Sequence, residues 1–300
     1  IIMKIAICIC FSKKNEIYHH KIINNLNIIK IPKECNLSFY LVVNNNPTKL
    51  IDLIKKIITN KKIKIFILNS VKKDIPNTRN IFLLKIKNKN LDYVGFLDDD
   101  CKINRNWVFL MTNFITKYKC DIVGGPQYHK VTNLKYKKLY NILEPPNKNK
   151  QNIRWVATNN CFFKKKILDK TNLLFNQYLK NIGGSDQLFF RKLKKKGFSI
   201  MWNSKASIEE YLQVDRENYI WFLKRNFRYG YSGLIIDKNI YGKKIGYLMN
   251  ISKIILLFFL SLINLFLIFR EYNLIRSLFY FVKGSGRLVS MFGYKINKYQ

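Results

Sequence analysis

Three carboxylates stand side by side at Asp98-Asp99-Asp100, directly behind the apolar run 93–97. Adjacent hard oxygen ligands suit Mg2+ or Mn2+, ions that usually hold phosphate groups as well. Phosphoryl transfer, nucleotidyl transfer and sugar transfer from a nucleotide donor therefore all match this cluster. Like charges this close stay ionised more readily beside a cation. The same residues also suit a solvated turn, or a helix N-cap ahead of Trp107. A further acid, Asp186, follows Gly183-Gly184-Ser185 at the head of a helical run, where it suits an N-cap. Arg216, Arg225 and Arg228, interleaved with Trp221 and Phe227, have the pattern of a basic amphipathic helix.

These residues need a frame. Residues 5–11, 37–43, 63–68 and 93–97 are short β-branched or aromatic runs bounded by polar residues, and they predict buried strands. Apolar positions recur at helical spacing over 16–29 and again over 50–58, between successive strands. Strands alternating with helices predict an α/β fold with a mostly parallel, right-handed sheet. Ligands of such sheets bind beyond the carboxyl ends of the strands, where the acidic triplet falls. Further on, 144–151 predicts an exposed loop and 189–197 a helix that ends at Gly197. The C-terminal part differs in kind. Residues 254–269 are uncharged, about 24 Å as a helix and slightly short of a bilayer core. Extension back to Tyr247 takes in Lys253, which can snorkel. Residues 274–294, with Arg276, Lys283 and Arg287 among apolar residues, suit an interfacial helix. The expected division is a catalytic domain over 1–235 and a membrane-associated helical region over 236–300, with flanking lysines favouring the cytoplasmic side.

Composition excludes some classes. Of 300 residues, 54 are Lys or Arg and 18 are Asp or Glu, a formal charge of +36. That charge suits an anionic membrane surface, although lysines saturating the whole chain also match compositional drift. No helix-turn-helix, zinc or RNP-type signature accompanies it, so nucleic acid is not an expected partner. The six cysteines show no C-x-x-C pair and no zinc-ligand spacing, which predicts reduced thiols in a cytosolic setting. The first apolar run is too short for a signal peptide and flows into a polar turn.

Taken in order, these motifs resemble the family 2 glycosyltransferases, and within them the bacterial exopolysaccharide type such as succinoglycan glucosyltransferases. The run 5–11 is similar to the family's opening I-x-I-C-T-Y, residues 40–45 to its V-V-D-N, and 75–80 to its I-x-x-A-R-N. Phe96-Leu97-Asp98-Asp99-Asp100 with Trp107 matches F-L-D-D-D…W-L, Thr158-Asn159-Asn160 matches T-x-N, and Gly183-Gly184-Ser185-Asp186 resembles G-G-E-D. Residues 206–210 through Arg216, Trp221, Arg225, Arg228 and Gly230 fit A-x-V-x-E…R…W…R-x-x-R-x-G.

The resemblance implies a GT-A fold, Rossmann-like with a mixed, mostly parallel sheet, followed by a hydrophobic helical extension. It implies an inverting, metal-dependent transferase using a nucleotide-sugar, expected to be UDP-linked, with Mn2+ or Mg2+. The expected acceptor is a lipid-linked oligosaccharide or surface polysaccharide at the cytoplasmic face of the inner membrane. In the D-x-D motif, Asp98 approaches the donor ribose and shares the metal with Asp100, while Asp99 orients the pair. Asp186 falls on the catalytic base. Arg79, Arg225 and Arg228 fall where guanidinium forks hold diphosphate. Three departures stand out. Asn44 replaces the Asp that accepts from the base, an exchange an amide oxygen can serve. Ser185 replaces a Glu, and Glu209 stands for a metal-binding His. An altered donor, or a catalytically weakened nucleotide-binding membrane protein on the same fold, follows as the alternative.

Overall fold

The computed structural model describes residues 2–12, 15–44, 48–72, 74–131, 133–145 and 147–294, with the side chains of Asn44 and Val214 outside that description. The motif resemblance at Asn45 and the base-binding expectation at Asn44 therefore fall outside it as well. The chain divides into two compact units, one of Ile1–Lys130, Asn147–Gln177 and Phe189–Tyr211, the other of Val131–Pro146, Tyr178–Leu188 and Leu212–Gln300.

The first unit is built on strands β1 (Met3–Phe11), β2 (Cys35–Asn44), β3 (Ile63–Ser70), β4 (Tyr93–Asp98), β5 (Cys101–Ile103), β6 (Ile122–Gly124), β7 (Gln127–Lys130), β8 (Asn160–Lys164), β9 (Ile200–Trp202) and β10 (Ile208–Tyr211). Seven form one sheet in the order β3-β2-β1-β4-β8-β6-β9, and β5, β10 and β7 form a second. In the large sheet only β8 runs against its neighbours β4 and β6. The crossovers that make β1 to β4 parallel are α1 (Glu16–Ile28), α2 (Thr48–Ile57) and α3 (Ile75–Lys85), with α4 (Trp107–Lys117) leading to β6. Alternation along β1 explains the burial on both faces. Ile5, Ile7, Ile9 and Phe11 pack with Ile22, Leu26 and Met111 on one side, while Ala6 and Cys8 pack with Tyr40, Phe82 and Phe163 on the other. A strand covered on both faces has no polar side, which is why these runs are continuously apolar. Asp74 caps α3, its side chain accepting from the Asn77 N–H at 2.8 Å, with Pro76 in the first turn.

The second unit contains α5 (Leu134–Leu143), the first turn of α7 (Ser185–Lys195), α8 (Tyr219–Tyr241), α9 (Lys243–Phe266) and α10 (Asn273–Met291), α6 (Lys166–Thr171) lying in the first. Small residues bring α8 and α10 together: a Cβ on Gly230 would meet the Lys283 carbonyl oxygen at 2.0 Å, and one on Gly286 the Phe227 carbonyl oxygen at 2.1 Å. Phe222 and Phe279 stack one end of the pair at 6.2 Å.

The six cysteines are free thiols. Burial pushes the Cys120 thiol up to about 11 and holds those of Cys8 and Cys101 well above their ordinary value.

Two outcomes follow. Gly230→Ala should destabilise the protein by about 1–3 kcal/mol in urea unfolding, because backbone rather than a movable side chain opposes the new methyl. For Cys120 the unfolded thiol ionises first, near pH ~8.5. Its contribution is complete below that pH and is lost as pH rises through about 11. Urea midpoints measured through this range should fall less steeply in Cys120→Ala than in the parent chain.

Candidate functional site

The carboxyl ends of β1 and β4 lie side by side where the strand order reverses: the chain runs outward from β1 to β2 and β3, then returns to β4 on the other side of β1. This is the switch point at which open α/β sheets hold ligands. Asp98 ends β4 in register with Cys10. Asp99 and Asp100 make the turn into β5, which leaves the large sheet for the small one.

The three acids have three different surroundings. Asp99 is buried, and its carboxylate accepts from the Ser12 N–H at 2.6 Å and from Asn15 Nδ2 at 2.6 Å, with His19 Nε2 at 3.1 Å. The same His19 nitrogen lies 3.1 Å from the Ser12 carbonyl oxygen. Facing two acceptors, it carries a proton. The His19 ring stands edge-on to Phe11 at 4.7 Å. Asn15 also donates to Asp100 Oδ2 at 3.2 Å, so one amide spans both carboxylates. Asp100 is buried too, and its backbone oxygen accepts from the Tyr211 N–H at 2.8 Å. Asp98 is half-buried, and its Oδ1 lies 3.5 Å from the Arg79 guanidinium. Arg79 is itself buried, 5.7 Å over the Phe175 ring. Beside the turn, Tyr211 stacks on Tyr18 at 5.4 Å with the Lys21 ammonium 4.3 Å above the Tyr211 ring.

The structure thus brings Asp98, Asp99, Asp100 and Arg79 together. Glu209 stands apart in character: it is exposed on β10 and pairs with its cross-strand neighbour Lys102 at 3.7 Å. The next residue, Glu210, is buried, paired in register with Cys101, and lies 3.1 Å from His129 Nδ1. Burial raises the Cys101 thiol well above its ordinary value, and Asp100, Asp98 and Glu210 add to the shift. Asn15 and His19 were not singled out from sequence, and Glu210 was matched only as the closing acid of A-x-V-x-E, without a role. For Asn15 and His19 the available signal was position, since they open the helix that follows the first strand of a switch-point sheet.

In the second unit Asp186 lies in the first turn of α7, its Oδ1 accepting from the Gln187 N–H at 2.8 Å after Gly183 and Gly184 in left-handed conformation. Left-handed φ at both residues favours glycine there. Arg225 is ion-paired with Glu144 at 2.5 Å, donates to the Tyr229 hydroxyl at 2.7 Å and lies 4.9 Å over the Trp221 ring. Burial raises the Tyr229 hydroxyl well above its ordinary range, with Arg225 opposing and Glu144 reinforcing the shift. Arg228 follows on the same helix, half-buried. The T-x-N asparagine, Asn160, is structural: it accepts from Trp107 Nε1 at 2.8 Å and donates to the carbonyl oxygens of Pro126 and Ala206.

Among the described residues no three His, Cys, Asp or Glu side chains converge as a ready metal cage. The donors present are Asp98 and Asp100, two hard carboxylates one residue apart. That set fits Mg2+ or Mn2+, which take one or two protein carboxylates and fill their remaining positions with water and substrate phosphates.

A flanked, mostly parallel sheet with carboxylates at its switch point is the arrangement in which α/β proteins hold ligands. Residues 20–174, just over half of the 300-residue chain, match the family described as Glycosyl transferase family 2, and the chain belongs to that family. It is a glycosyltransferase. No curated protein matches the chain. Among solved structures, S. aureus TarS (residues 1–349, in complex with UDP-GlcNAc) superposes with a TM-score of 0.55 at 11% identity, covering 97% of this chain and 92% of that one. The mannosyltransferase PcManGT from Pyrobaculum calidifontis, in complex with GDP-Man and Mn2+, gives 0.64 at 10% identity, covering 98% and 89%. At such identities the likeness is one of fold, the GT-A fold with its helical C-terminal extension.

Asp99→Ala should cost about 3 kcal/mol in urea unfolding, because the Ser12 N–H, Asn15 and His19 each lose an acceptor, Asn15 keeping Asp100 and His19 the Ser12 carbonyl oxygen. Asp98→Ala, at a half-exposed position where the Arg79 guanidinium lies 3.5 Å away, should change stability by less than Asp99→Ala. Equal losses would contradict the division of roles within the triplet.

Proposed function

We propose that this glycosyltransferase moves a sugar from a nucleotide-sugar, most simply a UDP-sugar, to a lipid-linked or surface-polysaccharide acceptor with inversion at the anomeric carbon. It is a transferase of the exopolysaccharide, succinoglycan glucosyltransferase-like type. The observation that carries the reading is the difference within the triplet: Asp99 faces inward and is saturated by donors, so it holds the turn while Asp98 and Asp100 flank it. The TarS structure holds UDP-GlcNAc, and that of PcManGT holds GDP-Man with Mn2+, which supports a nucleotide-sugar donor and a divalent cation for this chain.

In this reading Asp98 faces the donor ribose and, with Asp100, holds Mn2+ or Mg2+; Glu209, exposed and paired with Lys102, would serve as a further oxygen donor only by exchanging that lysine for the ion. When bound, the ion neutralises charge on the departing nucleoside diphosphate. Asn44 accepts from the nucleobase, and Arg79, Arg225 and Arg228 provide guanidinium groups for diphosphate, Arg225 by exchanging Glu144 for phosphate. Asp186 takes the proton of the acceptor hydroxyl as its oxygen attacks the anomeric carbon. The bond to the diphosphate breaks on the opposite face, so one displacement inverts the configuration. The N-terminal position of Asp186 on α7 holds its carboxylate in a fixed direction.

Residues 1–235 are assigned to catalysis and 236–300 to attachment at the cytoplasmic face of the inner membrane. Helix α9 supports the attachment: its 24 residues include a window of mean hydropathy 2.0, of which 17% is buried.

Transfer from a panel of UDP-sugars with Mn2+ to a polyprenyl-diphosphate acceptor, read by mass spectrometry of products, tests the assignment. Asp186→Asn should lower kcat on the order of 10²–10⁴-fold without loss of donor binding. Asp100→Ala should remove the metal-dependent part of the rate and weaken UDP binding in calorimetry. Full activity in both variants would overturn the roles.

A further inference from the structure

α9 is long enough to cross a bilayer, at about 36 Å, yet its two faces differ. Leu248, Ile255, Phe259 and Leu262 recur at helical spacing along one face and are all more than half exposed. On the adjoining α10, Leu278 and Phe281 are also exposed. The opposite face of α9 is bound to its neighbours through polar groups along its length. Lys253 Nζ lies 2.7 Å from Asp237 Oδ2 of α8, and Arg287 Nη1 of α10 lies 3.1 Å from the same oxygen and 2.7 Å from Asn250 Oδ1. Nearer the far end, Ser261 and Ser277 each donate to the other's carbonyl oxygen, at 2.9 and 2.8 Å.

We propose that α9 lies in the plane of one leaflet of an anionic membrane, its outer apolar face in the interface, and does not cross the bilayer. The proposal rests on the membrane attachment proposed above and specifies its geometry. α9 is tied to its neighbours at mid-length through Lys253–Asp237, Arg287–Asp237 and Arg287–Asn250, so these charges lie beside the middle of α9 wherever it sits. An upright α9 would draw those charges into hydrocarbon. Tearing α9 away would strip Lys253 from Asp237, which is fully buried. Lying flat satisfies both constraints, because every inter-helix bond stays on the protein side and the exposed stripes meet lipid. The charge complements the partner. Of the seven Lys or Arg in residues 243–294, Lys253 and Arg287 are tied to Asp237, and the other five stand against one acid, Glu271, with Lys243 and Lys244 at the start of α9, a balance that favours anionic headgroups.

The test uses the whole chain. It should float with phosphatidylcholine vesicles containing phosphatidylglycerol, and much less with phosphatidylcholine alone or at high salt. The double variant Ile255→Glu with Phe259→Glu, at exposed positions, should stay folded by circular dichroism and lose binding on the order of tenfold or more. Leu248→Trp, Ile255→Trp and Leu262→Trp, each read against the parent chain, should be quenched alike by lipids brominated near the headgroup. A depth that varies along the helix, greatest at its centre, would overturn the in-plane geometry and leave membrane attachment standing. Absence of flotation would overturn both. Self-association abolished by the double variant, without vesicle binding, would assign the face to a second copy of the chain and equally overturn the proposal.

Discussion

The buried carboxylate of Asp99 is the interaction on which the first unit's site depends. A buried carboxylate without partners is costly, so the turn is stable only where donors converge on it. All three donors come from one short stretch, the Ser12 amide, Asn15 and His19. The end of β1 is thereby tied to the end of β4 at the side-chain level, beyond the parallel ladder between the strands. The tie extends to Asp100 through Asn15 and to the small sheet through the Tyr211 amide. One acid thus fixes the backbone from which its neighbours on either side project. Asp98 and Asp100 are thereby carried on one fixed turn at the carboxyl end of β4.

Much of the frame was legible because buried parallel strands and their crossovers carry local signals. The expected runs 5–11, 37–43, 63–68 and 93–97 fall inside β1 to β4, and the helical patterns over 16–29 and 50–58 agree with α1 and α2 to within two residues. The remaining strands were not legible. β6 and β9 have three residues each, and β8 is antiparallel between strands distant in sequence, so pairing rather than periodicity defines them. The helix expected over 189–197 starts earlier, at Ser185, because the left-handed Gly183 and Gly184 redirect the chain ahead of it. At the C-terminus, the uncharged run 254–269, even extended back to Tyr247, starts the helix four residues late. α9 begins at Lys243, and Lys253 sits inside it without disruption because Asp237 neutralises it.

The site was legible as a position and only partly as a set of roles. Three adjacent acids after a strand announce a turn rich in negative charge, but their sequence cannot say which one faces inward. On β10, Ile208-Glu209-Glu210 has two acids in succession, and a four-residue strand gives too little alternation to fix its phase. The structure sets the phase through Ile208, which is buried and paired with Ile103, so Glu210 shares its inward side and Glu209 faces out beside Lys102. The same limit applies to Arg225, whose guanidinium spacing suggests phosphate while its actual partners are Glu144 and Tyr229.

Acid placement connects these observations. In a chain with 18 acids against 54 Lys and Arg, an acid on the surface is readily answered by some nearby lysine, as at Glu209 and Lys102. Such exposed pairs contribute little. The acids that shape the fold are the buried ones: Asp99 at the switch point, Glu210 beside Cys101, and Asp237 between α8, α9 and α10. Each of these pairs with a segment distant from it in sequence, and removing any of them would leave a partner unanswered in the interior, where the cost is largest. The abundant lysines raise the field around the molecule, and the few buried carboxylates determine where its elements meet. Net charge therefore bears on what the surface attracts, and the positions of the rare acids bear on architecture and chemistry.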